Sequence, residues 1–428
     1  MLDIHLIRDD PERVRKAIRQ RGGDEAPLDA LLRVDERWRA LLIQVESLRA
    51  DRNRVSEEIA IIKRAGGDAA DMIAEMRKVG GRIGELEEEL RQVETEHRGL
   101  ALEIPNLVSE DTPNGTDEDG NVIVREWGEP RTFDFDPKPH WEMAVDLDIV
   151  DFERATHIAG ANFEIFKGAG ARLRRALIDF MLDMHTAEHG YTEVGPPIIA
   201  RRDSLVASGH LPKFEDDQFH VRENDMFLIP TAEASLVNIH RDEILDSNTL
   251  PRQYVAYTPC FRYEKFGGGK ESRGLIRQFQ FDKVEMFKFV LPEASMDELE
   301  SLVRDAETVY QRLGIPYKLA LLCAGEMGIQ AVKAYDPMAW FPGTGSWMEL
   351  SSCSNCLDYQ ARRANIRFRR EKGAKPEFVH TLNGSGLAVG RTFAAILENC
   401  QQEDGSVIVP EVLRGYMGGV EAIRACAP

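Results

Sequence analysis

The most regular feature of the chain is an apolar repeat that begins at Leu31. Leu31, Val34, Trp38, Leu41, Val45, Leu48, Arg52, Val55, Ile59 and Ile62 are spaced alternately by three and four, and nine of the ten are apolar. After Gly66-Gly67 the spacing resumes through Met72, Met76, Val79, Ile83, Leu86, Leu90, Val93, His97, Leu100 and Ile104, again with one polar member. A 3.5-residue repeat sustained this long predicts a coiled coil. A dimerisation coil has the same period, but the glycine pair between two equal runs favours a hairpin in which one chain fills its own seam. Each helix would then run about 32 residues, roughly 48 Å.

Beyond the hairpin the pattern changes twice. From about Ile104 to Pro139 it turns loop-like, with Pro105, Pro113, Pro130, Gly115, Gly120 and the acidic Asp117-Glu118-Asp119. After that, helical stretches at 171–190 and 292–313 are interspersed with β-like runs at 253–257 and 283–290. They do not alternate as a doubly wound parallel sheet requires, so the expected class is α+β, an antiparallel sheet flanked by helices. The expected domains are 1–104 with an arm over about 28–102, a connector at 105–138, and a body at 139–428.

Composition adds bounds rather than detail. At 428 residues, with 43% hydrophobic and 30% charged, the chain is long enough for two or three ordinary globular domains. No apolar run approaches the roughly 20 residues that span a bilayer. The Met1-Leu2-Asp3-Ile4-His5 start lacks the layout of a secretory signal, so a cytoplasmic location with reduced cysteines is expected. The net charge of -19, from 54 basic and 73 acidic residues, argues mildly against nucleic acid as a partner. A local strip such as Arg49, Arg52, Arg54, Lys63 and Arg64 near the hairpin turn could still hold RNA.

Candidate chemistry concentrates after residue 260. The stretch Gly267-Gly268-Gly269-Lys270 is not a phosphate loop, since Glu271 follows the lysine where Ser or Thr should hold magnesium. Cys353 and Cys356 have metal-like spacing but no second pair, which favours free thiols in a turn over zinc. The run Phe261–Glu285 is richer. Arg262 and Glu264 share one strand face, a glycine-rich loop carries Lys270, Arg273 and Arg277, and Phe281 and Glu285 share the face of a second strand. Such a pair of strands offers guanidinium groups for an anion, an aromatic face for a base and a carboxylate for an amine or hydroxyl.

This segment resembles motif 2 of the class II aminoacyl-tRNA synthetases. Arg273-Gly274-Leu275-Ile276-Arg277 and Gln280-Phe281-Asp282-Lys283-Val284-Glu285 are similar to the bacterial-type seryl enzymes in particular. Thr231-Ala232-Glu233, the blocks from Trp347 to Asn355 and from Gln360 to Arg363, His380 to Arg391, and Pro410 with Leu413 to Gly419 agree in order and spacing. The helix from about Gly170, leading to Gly195-Pro196-Pro197, resembles motif 1, and the hairpin and the Ile104-Pro105-Asn106 connector match too, so the resemblance covers nearly the whole chain.

The resemblance implies activation of L-serine with ATP and transfer to serine tRNA, with selenocysteine tRNA a further candidate. Arg262, Glu349 and Arg391 would be catalytic, Arg262 bridging the serine carboxylate and the α-phosphate. Thr231, Ala232, Glu233, Arg262, Glu285, Asn383 and Ser385 would hold serine. ATP would meet Arg262, Tyr263, Glu264, Arg277, Phe281, Glu349, Leu350, Ser351, Ser352 and Arg391, with magnesium on Glu349 and Ser352 and no zinc. The arm would bind tRNA, and a homodimer would form through the motif 1 helix.

Departures cluster in the motif 2 loop: Lys265-Phe266, Lys270-Glu271-Ser272 and Phe279 replace the usual residues. Glu326, Asp336-Pro337-Met338, His157 and Asn162 also differ. They leave two alternatives, a divergent paralogue that activates serine for another acceptor or confers inhibitor resistance, and a catalytically inactive coiled-coil adaptor.

Overall fold

The computed structural model describes residues 1–263 and 273–425. They form two compact units, Met1–Pro105 and Asn106–Pro428. Among the described residues no helix is long and apolar enough to cross a membrane.

In the first unit, helices α1 (Ala26–Arg64, 39 residues) and α2 (Ala70–Glu103, 34 residues) pair as an antiparallel hairpin. Helix α1 starts five residues before the repeat, because Pro27 fits a first helical turn, where no amide hydrogen bond is needed. Gly66 turns the chain at φ +79°, a backbone angle that disfavours residues with a Cβ. Leu41, Val45, Leu86 and Val93 fill the seam against Val34, Trp38, Leu48 and Leu90. The polar seam member His97 stacks on Trp38 at 5.7 Å, with Nε2 3.0 Å from Asp35 Oδ1. Asp35, 1% exposed, also accepts from Arg8 and Arg39, so the buried carboxylate is paired.

The second unit is built on a nine-stranded sheet. In chain order its strands are β1 (Val122–Trp127), β2 (Thr192–Glu193), β3 (Arg252–Phe261), β4 (Gln280–Val290) and β5 (Tyr317–Leu321), followed by β6 (Lys333–Phe341), β7 (Ser346–Glu349), β8 (Cys353–Leu357) and β9 (His380–Ala388). They are arranged β1-β5-β6-β8-β9-β4-β3-β2, with β7 paired to β6, and every pairing is antiparallel except β2 with β3. Helices α3 (Gly168–Ala187), α4 (Ser295–Leu313) and α5 (Val389–Cys400) share the main core with the sheet. This is the antiparallel α+β body expected from sequence. One difference lies in the stretch 105–138, read above as connector. It contributes β1, tied to the unit by antiparallel pairing with β5 and by Arg125, whose Nε and Nη2 each donate to buried Glu307 at 2.8 Å. All six β1 side chains are exposed, so the strand shows no inside–outside alternation to read.

Candidate active site

Strand β4 lies between β3 and β9, so its backbone is paired on both edges. Its alternation puts Phe281, Lys283 and Glu285 on one face. Across it, Glu285 is in register with Ser385 of β9 and Ala256 of β3. A cleft of about 760 Å³, including its open mouth, lies over this face. Arg262, Leu275, Ile276, Arg277, Gln278, Phe281 and Lys283 line it from the β3–β4 side of the chain. Glu349, Leu350, Ser352, Ser385, Ala388 and Arg391 line it from the later segments.

The outer part of the cleft is cationic and aromatic. The Arg262 guanidinium lies 5.1 Å from the Phe281 ring centre, and its Nε donates to Pro230 O at 3.2 Å. Arg391, in the first turn of α5, donates through Nε to Ile276 O at 3.1 Å and through Nη1 to Glu349 O at 2.8 Å. The same Nη1 is 3.4 Å from Glu349 Oε2. These bonds hold both guanidinium groups while their charge faces the cleft. Nearby, Asp336 Oδ1 is buried and unpartnered among the described residues. Burial, then the Glu349 charge, pushes its carboxyl well above the usual range.

Behind the cleft lies a buried polar cluster that meets it at Lys283 and Ser385. Glu285 is 0% exposed and Glu233 3%. Thr231 Oγ1 donates to Glu285 Oε2 at 3.0 Å, and Lys283 Nζ pairs with that same carboxylate oxygen while donating to Thr231 Oγ1 at 3.2 Å. Glu285 Oε1 is buried with no partner among the described residues. Glu233 accepts from Gln360 Nε2 at 2.5 Å and from Asn383 Nδ2 at 3.2 Å. Thr381 Oγ1 steadies Gln360 from behind at 2.8 Å. Burial, then the Glu285 charge, raises the Glu233 carboxyl to about 7.

Most of the residues singled out from sequence therefore lie in or directly behind one cleft. Three are placed differently. Tyr263 is off the cleft wall, its ring against Phe219 and Phe279. Ser351 is buried, with its hydroxyl on Ser385 O at 2.6 Å. Ala232 belongs to a neighbouring apolar cluster. Glu264 lies within 264–272, outside the described residues, as do Lys265, Phe266, Lys270, Glu271 and Ser272. Cys353 and Cys356 sit buried in strand β8 rather than in a turn, and burial raises both thiols. Three further residues of the site, Lys283, Gln360 and Asp336, have no role assigned to them from sequence. The role of Lys283 is readable from its i, i+2 relation to Phe281 and Glu285, whereas Gln360 stands only inside a matching block and Asp336 only among the departures, with nothing local to say what either one touches.

An antiparallel sheet carrying paired arginines, an aromatic face and buried carboxylates is the core of a class II aminoacyl-tRNA synthetase. Residues 213–400 match the tRNA synthetase class II core domain (G, H, P, S and T), and residues 1–108 match the seryl-tRNA synthetase N-terminal domain. The chain is 55% identical to a serine–tRNA ligase of Geobacillus kaustophilus, over 99% of its own length and all of that protein's. It is 54% identical to that of Geobacter sulfurreducens over the same share of this chain. Among solved structures, seryl-tRNA synthetase from Pyrococcus horikoshii complexed with ATP superimposes with a TM-score of 0.93 at 38% identity, covering both chains fully. The cytoplasmic serine–tRNA ligase of Naegleria fowleri in complex with AMP gives 0.86 at 30%, covering this chain fully and 99% of that one. The chain belongs to the seryl-tRNA synthetase family.

Proposed function

We propose that this chain joins L-serine to ATP as seryl-adenylate, releases pyrophosphate, and transfers serine to the 3′ end of serine tRNA. The observation that carries this reading is the junction of two differently charged spaces at Arg262 and Lys283. A cationic, aromatic cleft suits a nucleoside triphosphate, and a buried carboxylate-rich end suits the ammonium and hydroxyl of a small amino acid.

Joining two anions needs positive charge and alignment more than an acid–base pair. Arg262 can meet the amino-acid carboxylate and the α-phosphate together, since its Nε is fixed and the rest of its guanidinium lies over Phe281. Phe281 and Arg391 take the base, with Arg391 also toward the phosphates and Arg277 beside them. Thr231 and Glu233 take the ammonium, Glu285 and Ser385 the hydroxyl, with Asn383 fixing Glu233. The unpartnered oxygen of Asp336 next to Glu349 and Ser352 fits a hard cation. Magnesium held by Glu349 and Ser352 would offset phosphate charge. The reading includes a homodimer through the α3 region, tRNA recognition by the hairpin and a cytoplasmic location.

The test is ATP–pyrophosphate exchange with each of the twenty amino acids, followed by charging of total tRNA. Exchange with serine plus charging supports the reading. Exchange without charging favours another acceptor, and no exchange leaves the adaptor.

A further inference from the structure

Two buried carboxylates in one pocket are expensive unless something balances them. Around Glu233 and Glu285 the described titratable neighbours are His210, Cys260, Arg262, Lys283 and Arg363, with the thiols of Cys353 and Cys356, which burial raises and so keeps uncharged. Burial first, then the charges of Arg262 and Lys283, lowers His210 to about 3, so it is neutral, with Nδ1 2.8 Å from Ser208 Oγ. Burial raises the Cys260 thiol to about 11, so it too is uncharged. Arg363 is turned to Val206 O, Leu211 O and Tyr359 Oη. Arg262 is held against Pro230 O and Phe281. Lys283 alone among these places its charge directly on a pocket carboxylate, and it also fixes Thr231 Oγ1. It reaches in from the cleft wall, 9% exposed.

We propose that Lys283 is a positioning residue that sets the amino-acid pocket at one net negative charge, which a single substrate ammonium then completes. Two ionised carboxylates against one resident ammonium leave one charge over, and among the described residues Glu285 Oε1 remains an acceptor without a donor. Without Lys283 the pocket would carry two charges facing each other, and a proton would take the place the substrate needs. The inference rests on the serine-activation reading above.

The test is the pH profile of serine-dependent ATP–pyrophosphate exchange in the full chain. In the wild type, kcat/KM for serine should fall as pH drops through about 7, where Glu233 takes up a proton. Lys283 opposes that protonation, so Lys283→Met should move the midpoint up by about one pH unit. At pH 7 the loss should be about fivefold, mainly in the KM for serine, approaching about tenfold at lower pH and shrinking as pH rises. Lys283→Arg keeps the charge and should hold the midpoint near that of the wild type. Lys283→Gln serves if Lys283→Met does not fold, as judged by its melting temperature. A loss of the same size at every pH, with the midpoint unmoved, would overturn the proposal. A midpoint raised as far by Lys283→Arg would overturn it too, since charge is what it asserts. No serine-dependent exchange in the wild type would overturn the activation reading and this proposal with it.

Discussion

Glu285 and Ser385 face each other across β4 and β9, and this pairing sets what the pocket can tell apart. A site that hydrogen-bonds a hydroxyl strands its own buried groups when alanine enters, a discrimination of about 10⁴–10⁵. Threonine keeps the hydroxyl and adds a methyl, which lack of room penalises by only about 1–3 kcal/mol. Exchange with threonine should therefore be weak but measurable, with kcat/KM about 10–200-fold below that for serine. Threonine exchange below one part in 10⁴ would mean that a polar mismatch does the excluding. Glu233 gives a second prediction, on stability. Its folded value of about 7 lies above the ordinary 4.5, so the native state holds a proton that the unfolded chain releases between them. That contribution is full below the ordinary value and is lost as pH rises through about 7. Glu233→Gln should thus melt higher than the wild type at pH 8 without serine, by about 2–3 kcal/mol, with a smaller gap at pH 5. A gap that does not vary with pH would assign the effect to another group. Serine activation should fall sharply in the same variant. The chemistry of these residues was legible because each is marked by its neighbours along a strand or in a short block. The roles of Gln360 and Asp336 do not show in the sequence, because Glu233 lies 127 residues from Gln360 and Glu349 comes near Asp336 only once their two strands pair.

At the scale of elements, legibility followed period. The seam of α1 and α2 shows through the sequence because a coiled coil has one buried stripe, and that stripe needs a strict repeat. Its two polar members have different standing: His97 is secured by Asp35 and Trp38, whereas Arg52 was evident only as an exception. Strands β3 and β4 extend beyond the runs 253–257 and 283–290, to Phe261 and back to Gln280, and the added length carries Phe281, and Arg262 just past the end of β3, to the cleft rather than the core. Strand β1 was hidden by its exposure, and its place comes from backbone pairing with β5 and the Arg125–Glu307 ion pair. The seam can be tested at Val45, which is 1% exposed among Leu41, Leu86 and Val93. Val45→Asp buries an unpaired charge there and should destabilise the hairpin by about 3–5 kcal/mol. Hydrogen exchange in the full chain should then speed up over 31–100 while serine-dependent exchange of pyrophosphate persists. Unchanged protection in that segment would refute the seam.

At the scale of the whole molecule, the residues that line the cleft all belong to the second of the two units. Every side chain assigned to ATP or serine lies in the second, so activation should not need the first. Transfer is different, because the acceptor is a large polyanion and the chain as a whole carries a charge of -19. Such a protein must hold RNA through local basic surface. Part of the basic cluster near the hairpin turn is already neutralised, with Arg49 on Glu87 and Arg54 on Asp51 and Glu58. Few phosphate contacts then remain for this strip, so recognition by the hairpin should depend strongly on tRNA shape and only modestly on salt. Deleting residues 31–100 should leave serine-dependent exchange within about twofold and abolish charging of serine tRNA, because additivity holds between parts that share no partners. Loss of both activities would show that the units are coupled and would end this division of labour. Charging that survives the deletion would move tRNA recognition to the second unit, and a steep fall in charging of the intact chain with salt would restore the basic strip as its main contact.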